Sequence, residues 1–204
     1  MTISKQIQEI LTPDQVIELL KVGNERFVKD ELANIKTKHV LEATKSGQHP
    51  IAAVLACMDS RVPVERVFDK TIGELFAFRT PGNVINTDTI GGMEYAAKIS
   101  GTKLFVVMGH TRCGAVLAAV EGTELGNLTS SLNKIKPAIE KVSRLQKGDI
   151  TDLEFMNNVI INNAINSIDQ IRSQSEILRI MEEEGDIKIV PALYDIVTGK
   201  VDFL

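Results

Sequence analysis

Two runs of apolar residues limit most strongly what this chain can fold into. Ile51–Ala56 is apolar throughout, and Lys103–Gly109 is apolar after its first residue. A short strand that is apolar without alternation is buried on both faces, which is typical of central strands in a parallel sheet. Parallel strands need long crossover connections, which are usually helices. The sequence therefore predicts an α/β fold.

Three more segments complete the predicted sheet. Leu75–Phe78 predicts a short strand, Ile187–Val197 predicts a longer one, and Lys200–Leu204 follows a turn near the end of the chain. We expect a mainly parallel central sheet of four parallel strands plus a C-terminal edge strand, with flanking helices. Pro191 has no N–H to donate to a ladder, so Ile187–Val197 is expected to lie at an edge of the sheet.

Residues 1–35 predict two helices. Thr12 is a candidate N-cap, Pro13 fits the first helical position, and Gln15 completes a capping box. This segment has no apparent core of its own, so we expect a helical arm that packs on another part of the fold or on a partner subunit. A helical pattern also covers 128–184, and a further helix is expected from about Met93. Since no stretch has the composition of a linker, residues 1–204 should form a single domain.

Composition excludes several classes of partner. The chain has 204 residues, 25% of them charged, and a formal net charge of −4. Basic residues are neither in excess nor grouped, so we expect no nucleic acid partner. No apolar run approaches the roughly 20 residues that span a bilayer, and the N-terminus lacks a signal-peptide pattern, so we expect no membrane partner and a cytoplasmic location. In such a reducing compartment, cysteines serve metal binding or catalysis more often than disulfides.

Polar motifs follow the two apolar runs. Cys57–Arg61 comes directly after the first run, and Gly109–Gly114 overlaps the end of the second. Ligand sites in open α/β sheets lie at the carboxyl ends of the strands, so the two motifs should be neighbours. Catalytic zinc sites use three Cys, His or acidic ligands and leave one position open. Cys57, His110 and Cys113 therefore predict a zinc site with an open position.

The two cysteines allow two other interpretations. A phosphatase loop needs Cys and Arg separated by five residues, and Pro63 occupies the required arginine position, which excludes it. Cys57 and Cys113 could instead be buried thiols that pack as small hydrophobic side chains. The spacing alone does not decide between zinc ligands and buried thiols.

Asp59 and Arg61 extend the candidate zinc site. Two thiolates cancel the charge of Zn2+, so a bound water molecule is acidified less than by three neutral imidazoles and benefits from a hydrogen-bond acceptor beside it. Asp59 can be that acceptor, and Arg61 can hold it ionised through a bidentate pair. Two alternatives are open: Asp59 could ligate zinc itself and close the site, or the pair could be only a surface ion pair or helix cap.

Several motifs in sequence order carry a family resemblance. They are Cys57-x-Asp59-Ser60-Arg61, Arg79–Asn83 and Gly109–Gly114, with further likeness at Gly23–Phe27, Met93–Ala96 and Ala192–Gly199. Over nearly its whole length the chain resembles the β-class carbonic anhydrases. The resemblance implies a zinc-dependent lyase that hydrates CO2 reversibly to bicarbonate and a proton, by attack of zinc-bound hydroxide. It implies Zn2+ on Cys57, His110 and Cys113, with Asp59 and Arg61 as the catalytic dyad.

The resemblance also implies substrate-binding residues and a partner. It implies a homodimer, alone or as a dimer of dimers (a homotetramer), with active-site walls from both subunits. The matching positions are Gln48 as a hydrogen-bond donor, Phe76 and Tyr95 as apolar lining, and Gly114 as a backbone donor to bicarbonate. Each has an ordinary alternative: Phe76 and Tyr95 as core, Gln48 as surface, and Gly114 as a helix-packing glycine. The family commonly has Asn-Ala where this chain has Thr80-Pro81, which is expected to stiffen the loop and reshape the pocket wall.

Two other functions fit the same residues. One is hydrolysis of COS or CS2, which are linear molecules that suit the same nucleophile. The other is a non-catalytic, bicarbonate-responsive zinc protein. The intact pair of Asp59 and Arg61 argues against the second, because a purely structural zinc site has no need of a dyad.

Overall fold

A five-stranded sheet forms the centre of the protein. The computed structural model describes residues 3–34, 36–149 and 151–204. The strands are β1 (Ala52–Cys57), β2 (Leu75–Thr80), β3 (Leu104–His110), β4 (Lys188–Tyr194) and β5 (Val201–Phe203), in the spatial order β2-β1-β3-β4-β5. The first four run parallel, and β5 pairs antiparallel with β4. The predicted α/β class and mainly parallel sheet are confirmed.

Helices connect and cover the strands. In the described residues they are α1 (Lys5–Ile10), α2 (Pro13–Val28), α3 (Thr37–Thr44), α4 (Val64–Val67), α5 (Thr87–Glu94), α6 (Gly114–Val120), α7 (Leu128–Asn133), α8 (Lys136–Leu145), α9 (Leu153–Gln174) and α10 (Glu176–Glu183). A 3-10 turn covers Pro81–Asn83, and a π-helical turn at Tyr95–Ile99 continues α5. None of the helices that the structure describes combines the length and apolar character that crossing a bilayer requires.

The central strands β1 and β3 are buried on both faces, as their sequences predict. Along β1, alternate side chains enter two different hydrophobic clusters. One cluster includes residues of α2 and α4, and the other includes residues of α5, α9 and α10. The parallel register pairs Ala52 with Leu104 and Ala56 with Met108. The carboxyl ends of β1 and β3 therefore meet at one edge of the sheet.

A third hydrophobic cluster lies at that edge of the sheet. It joins α6, α8 and α9, and it contains both cysteines. Helix α9 approaches β3 very closely at Gly109, where an added Cβ would lie 2.5 Å from Ile160 Cγ2. Only glycine fits here, directly before His110, because isoleucine is branched at Cβ and stiff in a helix.

The prediction that Ile187–Val197 is an edge strand was wrong. The strand in this segment is β4, which lies between β3 and β5. Pro191 is tolerated because its carbonyl accepts a hydrogen bond from the Leu204 N–H at 3.0 Å, on the β5 side. The N–H and C=O of one strand residue face the same neighbour, so its missing donor removes no bond to β3. The C-terminal edge strand is β5.

One helix boundary also differs from the sequence prediction. The helix expected from about Met93 begins at Thr87, because the Asn86 side chain caps it by accepting from the Thr89 N–H at 2.8 Å. This helix packs against Phe78 of β2. There an added Cβ on Gly92 would lie 2.5 Å from Phe78 Cε1.

The two predicted N-terminal helices are present as α1 and α2, with the Thr12 capping box formed. Helix α2 packs on its own chain: Val16 and Leu20 are buried in the core, and Gly23 lies against the Phe68 carbonyl. The opposite face of α2 carries Leu19, which is exposed. Packing of this other face on a partner subunit stays a prediction.

Candidate metal centre

Three ligand-type side chains converge at the carboxyl edge of the sheet. Cys57 ends β1, His110 ends β3, and Cys113 is the N-cap of α6. Their ligand atoms all lie within 4.8 Å of one another, and the two Sγ atoms are 3.8 Å apart. Arg112 has a φ of 55°, in the left-handed region, which bends the chain back and brings Cys113 beside His110.

The imidazole of His110 is held in one tautomer. Its Nδ1 lies 3.0 Å from the Thr111 carbonyl oxygen, and a carbonyl only accepts hydrogen bonds, so Nδ1 carries the proton. The other nitrogen, Nε2, is buried and has no hydrogen-bond partner among the described residues. A buried polar atom without a partner is costly, whereas a metal ligand needs this free lone pair. The donor set therefore fits zinc.

The two thiols share their protons unequally. Cys113 donates a hydrogen bond to Cys57, which is the main reason that the pKa of Cys57 lies below its usual range and that of Cys113 above it. The Gly82 N–H also donates to Cys57 Sγ, at 3.3 Å. A cation bound between the thiols would replace the remaining proton, because metal binding releases protons from cysteine ligands.

Asp59 pairs with Arg61 at the rim of the site. The guanidinium donates through Nε to Oδ1 at 2.9 Å and through Nη2 to Oδ2 at 2.7 Å. This side-chain hydrogen bonding is the largest cause that lowers the pKa of Asp59 to about 2. Asp59 Oδ2 lies 3.9 Å from His110 Nε2. An ionised acceptor therefore lies beside the three ligand groups.

A small apolar cleft opens beside Cys57. Its volume is about 230 Å³, and it is lined by Cys57, Met58, Asp59, Pro81, Gly114, Ala115, Ala118 and Leu128. A larger cleft of about 540 Å³ lies between α2 and β5, but no ligand-type cysteine or histidine lines it. The cleft at Cys57 suits a small uncharged molecule, since most of its walls offer no hydrogen bonds.

The comparisons with known proteins agree with this geometry. Residues 52–201 match the sequence model of the family described as carbonic anhydrase. The chain belongs to the β-class carbonic anhydrase family. Carbonic anhydrase 2 of Mycobacterium tuberculosis is 37% identical over 126 residues, which are 61% of this chain and 59% of that protein. The carbonic anhydrase of Mycolicibacterium smegmatis is 30% identical over 185 residues, or 90% of this chain and 89% of the relative.

Solved structures of β-carbonic anhydrases share the fold. A structure from a study of two tetrameric β-carbonic anhydrases of Sordaria macrospora superposes with a TM-score of 0.72, covering 82% of this chain and 87% of that one at 22% identity. At this identity the likeness concerns the fold. It agrees with the mainly parallel sheet that brings the ends of β1 and β3 together.

Of the substrate-binding residues predicted for this carbonic anhydrase family member, the structure brings only Gly114 to the cleft. Gln48 is exposed and precedes β1, so it lies at the opposite end of a six-residue strand, about 20 Å away. Phe76 lies on the edge strand β2, where it pairs with Ala53 of β1. Tyr95 is 53% exposed and meets Phe76 edge-on, with ring centroids 6.3 Å apart. These three do not line the cleft of their own chain.

Other residues of the site were not predicted from the sequence. The Arg79 guanidinium donates to the carbonyl oxygens of Cys57 and Asp59, and so it fixes the backbone that carries both side chains. Thr111, whose carbonyl orients His110, is itself held by Asp195 through a 3.0 Å hydrogen bond. Arg79 at the end of β2 and Asp195 after β4 stand where these parallel strands leave the sheet, and this was the signal that could have found them.

Proposed function

We propose that this chain catalyses the reversible hydration of CO2 to bicarbonate and a proton, with Zn2+ held by Cys57, His110 and Cys113. The observation that carries the proposal is the buried Nε2 of His110, which has no hydrogen-bond partner among the described residues and lies beside two thiols, one of which lines an apolar cleft. When bound, zinc supplies Lewis acidity, which lowers the pKa of water enough for it to act as a nucleophile near neutral pH.

Asp59 orients the reacting water in this proposal. Its carboxylate is ionised at neutral pH, so it accepts a hydrogen bond and directs the remaining lone pair of the water oxygen toward the cleft. Arg61 keeps the carboxylate ionised and fixes its direction with two hydrogen bonds. Arg61 also donates to the Arg112 carbonyl at 3.3 Å, which ties the dyad to the loop that carries Cys113.

The cleft supplies the place for CO2. Its side walls are the apolar residues Met58, Pro81, Ala115, Ala118 and Leu128, which hold an uncharged linear molecule and exclude water. Pro81 has no N–H, so this wall offers no donor where the family commonly has Asn-Ala. Gly114 lines the same cleft, and its backbone N–H is proposed to donate to an oxygen of bicarbonate.

A homodimer completes the cleft in this proposal, alone or as a dimer of dimers. Gln48, Phe76 and Tyr95 lie outside the cleft of their own chain, so they can line only that of a partner. The surface beside β2 is also apolar and uncovered: Ile72 is 48%, Tyr95 53% and Ile99 71% exposed. We propose a cytoplasmic location as well, since both cysteines are free thiols and must stay reduced to ligate zinc.

Stopped-flow measurement of CO2 hydration at pH 8–9, on protein loaded with one zinc per chain, tests the proposal. We expect a rate well above that of buffer. Asp59→Asn should reduce the hydration rate about 10-fold to 100-fold, which is the usual effect of replacing a group that supports the ligands of a metal. Asp186 is exposed, and Asp186→Asn should leave the rate unchanged. A fully loaded protein that does not exceed the buffer rate refutes the activity. Faster turnover of COS than of CO2 would instead identify COS as the substrate.

A further inference from the structure

The turn after β2 is held by side chains rather than by the backbone ladder. Gly82 and Asn83 have φ values of 63° and 48°, so two consecutive residues lie in the left-handed region. For asparagine this conformation is uncommon and needs support from its surroundings. Four successive carbonyls, from Gly82 to Ile85, accept hydrogen bonds from side chains: Asn163 Nδ2 (2.7 Å), Ser167 Oγ (3.2 Å), Thr80 Oγ1 (2.8 Å) and Lys134 Nζ (2.5 Å).

The same turn touches the metal centre through its backbone. The Gly82 N–H donates to Cys57 Sγ at 3.3 Å. The peptide groups on the two sides of Gly82 thus have different partners: the first donates to the sulfur, and the second accepts from Asn163. Glycine can rotate freely about its backbone bonds, so the direction of its N–H depends on what holds the neighbouring carbonyls.

Asn163 and Ser167 lie one turn apart on the buried side of α9. They are 1% and 2% exposed, on a helix whose other buried positions are mostly apolar. Burying an amide and a hydroxyl costs free energy unless each finds a hydrogen bond, and apolar residues would pack here without that cost. The donors of both side chains reach the turn. The hydrogen bonds to this turn therefore explain why two polar residues, Asn163 and Ser167, are buried here.

We infer that Asn163 and Ser167 are positioning residues of the metal centre, which aim the Gly82 N–H at Cys57 Sγ. The inference rests on the proposed function, because it requires Cys57 to ligate a metal. An N–H donated to a coordinated sulfur lowers its electron density and fixes its direction, and such outer contacts tune both the affinity and the electronic properties of a metal site.

Two variants test the inference, with two matched controls. Asn163→Leu keeps the number and branching of the side-chain heavy atoms and removes the donor, and Ser167→Ala removes one hydroxyl. Asn162→Ala is the first control, since among the described residues Asn162 donates within α9, to the Asn158 carbonyl. Ile171→Ala is the second control. Ile171 is buried in the hydrophobic cluster that includes residues of α5 and α10, so its replacement should destabilise the protein without touching the turn.

Zinc affinity is measured by competition with a chromophoric chelator, and the thiolate-to-metal charge-transfer band is recorded after cobalt substitution. For Asn163→Leu we expect zinc binding about 10-fold to 100-fold weaker, and for Ser167→Ala about 10-fold weaker. Both should shift the cobalt band, and both controls should leave the band in place. The band reports the sulfur itself, so a merely structural role would not move it.

Folded variants with the affinity and band of the unchanged protein would overturn the inference. An equal loss of affinity in Ile171→Ala would also overturn it, because general destabilisation would then explain the effect. If Asn163→Leu does not fold, Ser167→Ala alone decides. Failure of the unchanged protein to bind zinc or cobalt would instead refute the proposed function, so the two failures are distinguishable.

Discussion

Replacing Gly109 with alanine should push β3 and α9 apart at the residue before His110. The added Cβ would lie 2.5 Å from Ile160 Cγ2 and 3.4 Å from the Ile160 carbonyl oxygen. Optimal carbon–carbon contacts are about 3.5–4.0 Å, so the helix or the strand must move by about 1 Å. Overpacking of this kind costs about 1–3 kcal/mol, and the movement should also weaken zinc binding by displacing the imidazole.

A compensating variant makes this prediction sharper. Ile160→Ala removes the methyl group that Gly109→Ala would strike, and alone it should cost about 2–5 kcal/mol through the cavity that it leaves. In the double variant the new Cβ occupies part of that cavity. The double variant should therefore be more stable than the sum of the two single changes by about 1 kcal/mol or more.

Urea unfolding of the four proteins, followed by circular dichroism, measures the free energies of this cycle. Zinc affinity of the same set shows whether the position of His110 follows. Additive costs, within about 0.5 kcal/mol, would refute the close approach of α9 to β3 as the reason for glycine at this position.

Two further predictions concern hydrogen bonds made by the side chains of Asn24 and Asp195. The Asn24 side chain donates to the carbonyl oxygens of Val67 (3.1 Å) and Gly199 (2.8 Å) and accepts from the Val201 N–H (2.8 Å). Asn24→Ala removes these three hydrogen bonds and should cost about 2–4 kcal/mol in urea unfolding, and a loss below about 0.5 kcal/mol would contradict this. Asp195 has a pKa below its usual range, chiefly because the Val197 N–H donates to it. Its carboxylate therefore stabilises the fold above about pH 4, and this contribution is lost as the pH falls through the folded-state pKa. Asp195→Asn should be less stable than the unchanged protein at pH 7, with a difference that shrinks below about pH 4, and a difference independent of pH would contradict it.

The strands that carry the metal ligands could be predicted because their sequences are apolar without interruption. A strand buried on both faces belongs at the centre of a parallel sheet, and the residue that follows it lies at the carboxyl edge. The same reasoning predicts that Cys57 and His110 lie close together. The closeness of Asp59 to Arg61 followed from their spacing after the same strand.

The position of β4 could not be predicted from its proline. A proline is incompatible with a central strand only where its nitrogen faces a carbonyl that needs a donor. The direction of the Pro191 nitrogen depends on the register of β4, and the presence of a carbonyl there depends on where β5 ends. Residues that are joined only by the tertiary fold were also out of reach. Asn163 lies far along the chain from Gly82, and the sequence shows an asparagine-rich helix without showing which carbonyl each side chain meets.

X-ray absorption at the zinc edge tests the central claim most directly. For the purified, zinc-loaded protein we expect two sulfur ligands at about 2.3 Å and one imidazole nitrogen at about 2.0–2.1 Å, with a light atom in the remaining position. Cys57→Ser should remove one of the two sulfur ligands or the zinc itself. A zinc shell without sulfur, or one that Cys57→Ser leaves unchanged, would contradict the assignment of the metal centre.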